Sequence, residues 1–487
     1  MKILSTISPQ EVWTEFETIC SIPHPSKHEQ KLAEHIYSIG IRLGLETMQD
    51  NAGNILIRKS ASTGMENRPS VVLQAHIDMV PQKNSDCDHN FLTDSISLRI
   101  EDEWVTADNT TLGADNGLGV ASMLALLKSD THKHGPLEFL FTVEEETGMD
   151  GAFALEPNIL QSNYMLNLDS EDDKEIIIGC AGGIDATVSG SLQQIQTAIL
   201  EPIQATISVK GLKGGHSGID IHLGRGNANI ILAELLQDLL QTASIDLVSF
   251  SGGNMRNAIP REAFATILIA KEHIEQLGGN LLAWQNNLQN TYKVAESAIT
   301  LELSISGPTN SNMVFSKPDS VDFCKAISGA PNGIISFEPE FPDVVQTSTN
   351  LSIAELQQNK ITLCLLLRSS CNDAKTDLAE SIRDHFEEFH LSTHFDGEYP
   401  GWAPAPHSKI ISILEKNYIA RMNRKPEIKI IHAGLECGII GSKYPELEMV
   451  SFGPTIKHPH SPDEKVNIKS VGKFWDILTS TIASIVS

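Results

Sequence analysis

The apolar positions of this chain change their spacing several times, and each change predicts an element. Between residues 9 and 42 two helices are expected, separated by the proline-rich "SIPHPS"; the second, "HEQKLAEHIYSIGIRLGL", repeats its apolar residues at helical spacing. Short apolar runs follow: "NILIR" at 54, "SVVLQA" at 70, "LEFLFTV" at 137 and "YMLNL" at 164. Runs of this length predict buried strands. Between the second and third, "DNGLGVASMLALLK" has Asp115 at its start and an apolar stripe within it, which predicts a helix. Strands alternating with helices predict an α/β layer fold.

From about residue 188 the texture differs. "ILEPIQATISVKGLKGGHSG" followed by "NANIILAELLQDLLQ" resembles "LQQNKITLCLLLRSSCND" followed by "AKTDLAESIRDHFEEF". Each is a strand, a polar turn and a helix, predicting a separate α+β domain with an antiparallel sheet. Near 396 the chain passes through "DGEYPGWAPAP", a Pro/Gly/aromatic stretch typical of an inter-domain return. A helix ("HSKIISILEKNYIARM"), two strands ("EIKIIHAG", "EMVSFG") and a final helix follow. The expected organisation is one α/β domain from residues 1–187 and 397–487, interrupted by an inserted domain over 188–396.

A length of 487 residues fits two or three domains. Acidic residues outnumber basic ones by 62 to 36, for a net charge of -26, and no basic stripe is present. Nucleic acid and anionic membrane are therefore excluded as expected partners, and a multivalent cation is favoured. The first twenty residues lack a signal-type apolar core, and no run reaches the ~18 apolar residues of a membrane span, so a cytoplasmic protein is expected. The seven cysteines are scattered, with no C-x-x-C pair. A metal site must be built from His, Asp and Glu.

Several expected strands end in such residues. "SVVLQAHIDMV" ends at His76 and Asp78, "LEFLFTV" runs into Glu144, Glu145 and Glu146, and "YMLNL" ends at Asp169. His458 and His460 follow the strand in "EMVSFGPTIKHPHSPDE", and Asp115 opens its helix. Ligands of open α/β sheets bind at the carboxyl ends of strands, where these residues would converge. Imidazole and carboxylate without thiolate suit catalytic zinc, manganese or cobalt. The donors are too many for one catalytic zinc and point to two metals bridged by a carboxylate. On an extended chain neighbouring side chains point to opposite sides, so of Glu145 and Glu146 one would bind metal and the other would act as general base. Glu144 reads as a solvated turn residue, and His432 as a satisfied strand-end histidine. "GLKGGHSG" lacks the G-K-[ST] of a phosphate loop, and "LGADNGLG" does not match G-x-G-x-x-G.

The motifs "HIDMV", "TLGADNGLGVA", "EEETGMDGAF", "LDSEDD…IGCAGG", "KGLKGGHSG…GRGNAN", "RNAIPRE", "IHAGLECG" and "GPTIKHPHSPDE" extend in order over nearly the whole chain. With them the sequence resembles the co-catalytic zinc exopeptidases, and within that clan the aminoacyl-histidine dipeptidase (Xaa-His dipeptidase) family. The resemblance implies a zinc-exopeptidase-like catalytic domain, with a mixed sheet flanked by helices, and an inserted lid domain. It implies two zinc ions, replaceable by cobalt or manganese: His76 and Asp169 on the first, Glu146 and His460 on the second, and Asp115 bridging. His460 is preferred to His458 because the family's ligand precedes the S-P-D-E run. Glu145 would be the general base and Asp78 would orient the His76 imidazole. His216, Asn257 and Arg368 of the lid, with Gly434, would bind substrate. The implied activity is hydrolysis of unblocked dipeptides, including Xaa-His, by a homodimer. A tripeptidase or N-acyl amino acid deacylase on the same metal core, or an inactive peptide-binding homologue, are the alternatives.

Overall fold

The strand Val71–His76 is buried at all six positions; it lies inside the sheet between parallel neighbours, Leu137–Thr142 and Tyr164–Asn167, and helix Ala114–Lys128 packs against it. Strands covered on both faces read as continuous apolar runs, which is why these three stand out in the sequence. The computed structural model describes residues 3, 4, 6–309 and 312–485. Contacts divide the chain into two units: Met1–Cys180 with Trp402–Ile430 and Leu435–Ser487, and Ala181–Gly401 with Ile431–Gly434.

The first unit carries an eight-stranded mixed sheet. Its order is Glu46–Gln49, Ile55–Lys59, Leu137–Thr142, Val71–His76, Tyr164–Asn167, Glu448–Ser451, Glu175–Cys180 and Glu427–Ile431. Register places His76 beside Thr142 and Gln74 beside Asn167. The strand ends that precede Glu145 and Asp169 are therefore level with His76. The helix Ala114–Lys128 is buried nearly all round rather than along one stripe. Helix Gln10–Cys20 packs on it, and a Cβ at Gly117 would lie 3.1 Å from the Phe16 ring. Asp115 and Asn116 have non-helical backbone angles, so the regular helix starts after them.

A second, four-stranded sheet was not foreseen: Ile456–Lys457, Lys465–Asn467, Trp104–Ala107 and Leu98–Glu101. Strands of two to four residues, one of them largely exposed, leave no readable apolar pattern. This sheet fixes both ends of the segment that carries His458 and His460.

The second unit is built on a nine-stranded sheet whose recorded pairings are all antiparallel. Helix Ala228–Thr242 starts at Asn227, whose side chain accepts the Asn229 and Ile230 N–H groups. Its Leu232, Leu235, Leu236 and Leu239 join Val209, Phe250, Ile267 and Leu365 of the sheet in one core. The division falls at 180/181 and 401/402, against expected limits of 187/188 and 396/397. Strand Gly182–Ser191 belongs to the second sheet, paired with Lys360–Ser369 and Ser392–Tyr399. Only Ala181 separates it from Glu175–Cys180 of the first sheet, and neither this abrupt change of sheet nor the glycine-broken start of "GGIDATVSGS" signals a boundary.

Candidate metal centre and active site

In the first unit the strand ends and the Asp115 loop bring their polar side chains together. Asp115 stands at the middle: its Oδ1 lies 3.2 Å from His76 Nε2 and its Oδ2 lies 3.2 Å from His460 Nε2. Asp169 Oδ1 joins the His76 side at 3.3 Å, and Glu146 Oε1 joins the His460 side at 2.9 Å. Donor atoms of His76, Asp115 and Glu146 all lie within 4.8 Å of one another, close enough to share an ion. His458 is exposed, and no carboxylate of the cluster is paired with it among the described residues.

The donor set fits a metal. The buried Glu146 Oε1 and Asp169 Oδ1 have no hydrogen-bond donor although imidazole nitrogens are near. Their lone pairs are free in the cluster, where buried acceptors ordinarily find partners. Electrostatics points the same way. Burial pushes the His76 imidazolium down, yet the surrounding Asp169, Asp115 and Asp78 carboxylates outweigh it and hold its pKa well above normal. The carboxylate of Asp115, which accepts from His460 Nε2, and that of Glu146 beside the same nitrogen raise His460 to about 11. Burial lifts Asp169 to about 6 and Glu145 well above the usual range, the latter helped by the charges of Asp169, Glu436 and Glu146. The cluster thus draws positive charge, and a metal cation meets that demand.

Glu145 and Glu146 do not lie on an extended chain. Glu145–Gly148 is a single helical turn preceded by Glu144 at φ 54°, so the alternation argument does not describe their geometry. What separates them is Asp78, which is 1% exposed. Its Oδ1 accepts the Glu145 N–H at 3.0 Å and its Oδ2 accepts the Glu146 N–H at 3.2 Å. Ser26 Oγ donates to Oδ2 at 2.8 Å, and His76 Nδ1 faces Oδ1 at 3.3 Å. Glu144 is half-buried rather than solvated, with its N–H held by the buried Glu29 carboxylate at 3.2 Å.

Three buried carboxylates of this region escaped the sequence reading as chemistry. Glu29 holds the Glu144 turn. Glu436 is fully buried and accepts from Gln74 at 2.6 Å and Thr142 at 2.8 Å. Glu464 accepts the N–H groups of residues 112–115. Glu436 and Glu464 lie in the quoted motifs "IHAGLECG" and "HPHSPDE", which was their available signal.

The remaining candidates belong to the second unit. His216 Nδ1 accepts the N–H groups of Gly218 at 3.1 Å and Ile219 at 3.0 Å, so a neutral ring carries its proton on Nε2. Burial, then the Arg368 charge, lowers its pKa. Arg368 is 5% exposed and donates to Tyr399 Oη at 3.2 Å, leaving its Nε unpaired. Asn257 is exposed, and its carbonyl accepts the Ser217 N–H at 2.8 Å. A Cβ at Gly218 would sit 2.0 Å from the His432 carbonyl oxygen and 3.0 Å from Arg368 Cδ, so only glycine fits between them. His432 is hydrogen-bonded through Nε2 to Ser348 at 2.7 Å. Gly434 lies two residues beyond it, in the Ile431–Gly434 stretch that groups with this unit.

With this geometry in place, comparison with known proteins identifies the class. The family model of peptidase family M20/M25/M40 matches residues 72–484, and the chain belongs to that family, a family of metal-dependent hydrolases. It is 45% identical over 487 residues to the cytosol non-specific dipeptidase of Escherichia coli, covering 100% of this chain and 99% of that one. The crystal structure of aminoacylhistidine dipeptidase from Vibrio alginolyticus is 44% identical, with a TM-score of 0.94 over 99% of this chain and 98% of that one. The aminopeptidase PepT of Bacillus cereus shares the fold alone, at 16% identity and a TM-score of 0.57 over 99% of this chain and 100% of that one. Among the described residues no helix is long and apolar enough to cross a membrane.

Proposed function

We propose that this protein is a cytoplasmic di-zinc dipeptidase that hydrolyses unblocked dipeptides, including Xaa-His. One observation carries the metal reading: the two oxygens of Asp115 face two different imidazoles, at 3.2 Å each. His76 and Asp169 would hold one ion, Glu146 and His460 the other, and Asp115 both. Bound zinc supplies Lewis acidity, polarising the scissile carbonyl and lowering the pKa of water. Glu145 takes the proton of the attacking water and passes it to the leaving amine, a role suited to a carboxyl whose pKa burial has raised. Asp78 orients His76 and, through two backbone N–H groups, the Glu145–Glu146 turn. His216, Arg368, Asn257 and Gly434 bind substrate, with the Arg368 guanidinium suited to a carboxylate. The dipeptide specificity follows from the likeness to the two named dipeptidases. We infer from the same relatives a homodimer, which sedimentation equilibrium would test; a monomer at micromolar concentration would refute it.

The test is hydrolysis by chelator-stripped protein, before and after zinc is restored, of a dipeptide panel that includes Xaa-His, a tripeptide and an N-acetyl amino acid. Zinc-dependent cleavage of the dipeptides is expected, and the Glu145→Gln variant should bind zinc while losing about 10²–10⁴-fold in rate. Preference for the tripeptide or the acylated substrate would overturn the specificity. Full activity without metal would overturn the mechanism.

A further inference from the structure

Four consecutive backbone N–H groups converge on one carboxylate. Glu464 Oε2 accepts from Leu112 at 2.7 Å and Gly113 at 2.9 Å, and Oε1 accepts from Ala114 at 2.8 Å and Asp115 at 3.3 Å. The turn that aims these donors at one point places Gly113 at φ 73°, which glycine adopts without strain. Glu464 is 2% exposed, and its backbone is also held: its N–H donates to Ser461 at 3.0 Å and its carbonyl accepts from Thr106 Oγ1 at 2.8 Å.

The donors end at Asp115, and Glu464 lies four residues after His460. A single buried side chain therefore joins the loop of Asp115 to the loop of His460, whose side chains meet at 3.2 Å. We propose that Glu464 is a positioning residue that fixes the separation of Asp115 and His460, and with it the affinity of the second metal position. This rests on the ligand set proposed above. All four partners are donors, so the residue must present an acceptor on both prongs, which a carboxylate does and an amide does not. Glutamine would turn its NH₂ toward one pair of buried N–H groups. Aspartate keeps both acceptors on a shorter stem.

The test compares wild type, Glu464→Gln, Glu464→Asp and His460→Ala by zinc titration against a competing chelator, and by amide hydrogen exchange of the metal-free proteins. In wild type, amides 112–115 should exchange slowly without metal. In Glu464→Gln that protection should disappear from one pair of these amides, 112/113 or 114/115, and the second zinc should bind about 10–100-fold more weakly, with the first little changed. Glu464→Asp should fall between. His460→Ala should lose the second zinc and keep the protection. A folded Glu464→Gln with wild-type affinity for both ions overturns the proposal, as does Glu464→Asp that has lost protection but not affinity, which decides the matter if the glutamine variant does not fold. If His460→Ala itself binds two ions normally, the ligand assignment fails instead. A merely structural role would lower the unfolding midpoint and leave the zinc titration of folded protein unchanged.

Discussion

Asp78→Asn changes one atom of a side chain whose partners are all donors, so its cost can be worked from the hydrogen bonds. If the new NH₂ replaces Oδ1, the Glu145 N–H loses its acceptor and the NH₂ is set against His76 Nδ1, which keeps the Asp78 carbonyl oxygen at 3.1 Å as its partner. If it replaces Oδ2, the Glu146 N–H loses its acceptor, while the Ser26 hydroxyl can turn and accept. The second orientation is cheaper and orphans one buried N–H, which costs about 1–3 kcal/mol. The metal-free variant should be less stable by that amount. Because the freed amide belongs to Glu146 and neighbours Glu145, metal affinity or activity should fall by about 10–100-fold as well. Urea unfolding followed by tryptophan fluorescence reads the right part of the chain, since Trp13, Trp104, Trp402 and Trp475 lie in the first unit and Trp284 in the second. A variant with the wild-type midpoint and undiminished kcat/KM would refute the view that Asp78 anchors the glutamate turn.

Two further predictions concern charge. Burial, reinforced by Arg368, His216 and His222, lowers His432 to about 3. Its folded pKa lies below the unfolded value, so between pH 6.5 and 3 the unfolded chain binds the extra proton. Stability from this group, complete above the unfolded pKa, falls by roughly 1.4 kcal/mol per pH unit of acidification. His432→Gln should flatten that slope in urea midpoints of the second unit, and an unchanged slope would contradict the assignment. Burial raises Glu436 to about 7 from 4.5, so the stability linked to its protonated form is lost as pH rises through that window. At pH 8 its ionisation costs the metal-free protein roughly 3 kcal/mol. Glu436→Gln keeps an acceptor for Gln74 and Thr142, and should stabilise the metal-free protein at pH 8 but not at pH 4; lower stability at pH 8 would count against this.

What the sequence disclosed follows from where burial leaves a trace. Val71–His76, Leu137–Thr142 and Tyr164–Asn167 are central and covered on both faces, so they read as apolar runs. The edge strand Glu46–Gln49 and the short strands around His460 have mixed exposure and leave none. Metal-type residues at the ends of apolar elements point to His76, Asp115, Asp169, the Glu144–Glu146 run and the His458/His460 pair, and the family resemblance selects Glu146 and His460; the structure brings His76, Asp115, Glu146, Asp169 and His460 together. His458 and His460 share a loop, where only folding distinguishes their positions. Glu29, Glu436 and Glu464 were missed because a buried carboxylate looks like a surface one until its donors are known. The Glu145–Glu146 alternation failed because three residues past the strand end at Thr142 the chain has already turned into a helix.

The strand Glu448–Ser451 fills an interior place in the first sheet, between Tyr164–Asn167 and Glu175–Cys180, although more than 250 residues separate it from both. His460 likewise lies 345 residues from the Asp115 that it meets. During synthesis, then, the early part of the first unit emerges with a gap in its sheet and without the histidine that meets Asp115. The inserted unit, whose sheet uses segments between Gly182 and Tyr399, is fully made before that gap can close. Contacts this distant in sequence form late, because ordering the intervening chain comes first. On the proposed ligand set, hydrolytic competence consequently requires the chain to be made past His460: a product ended before Glu448 carries most of the chemistry but lacks both the strand that closes the sheet and the histidine that meets Asp115.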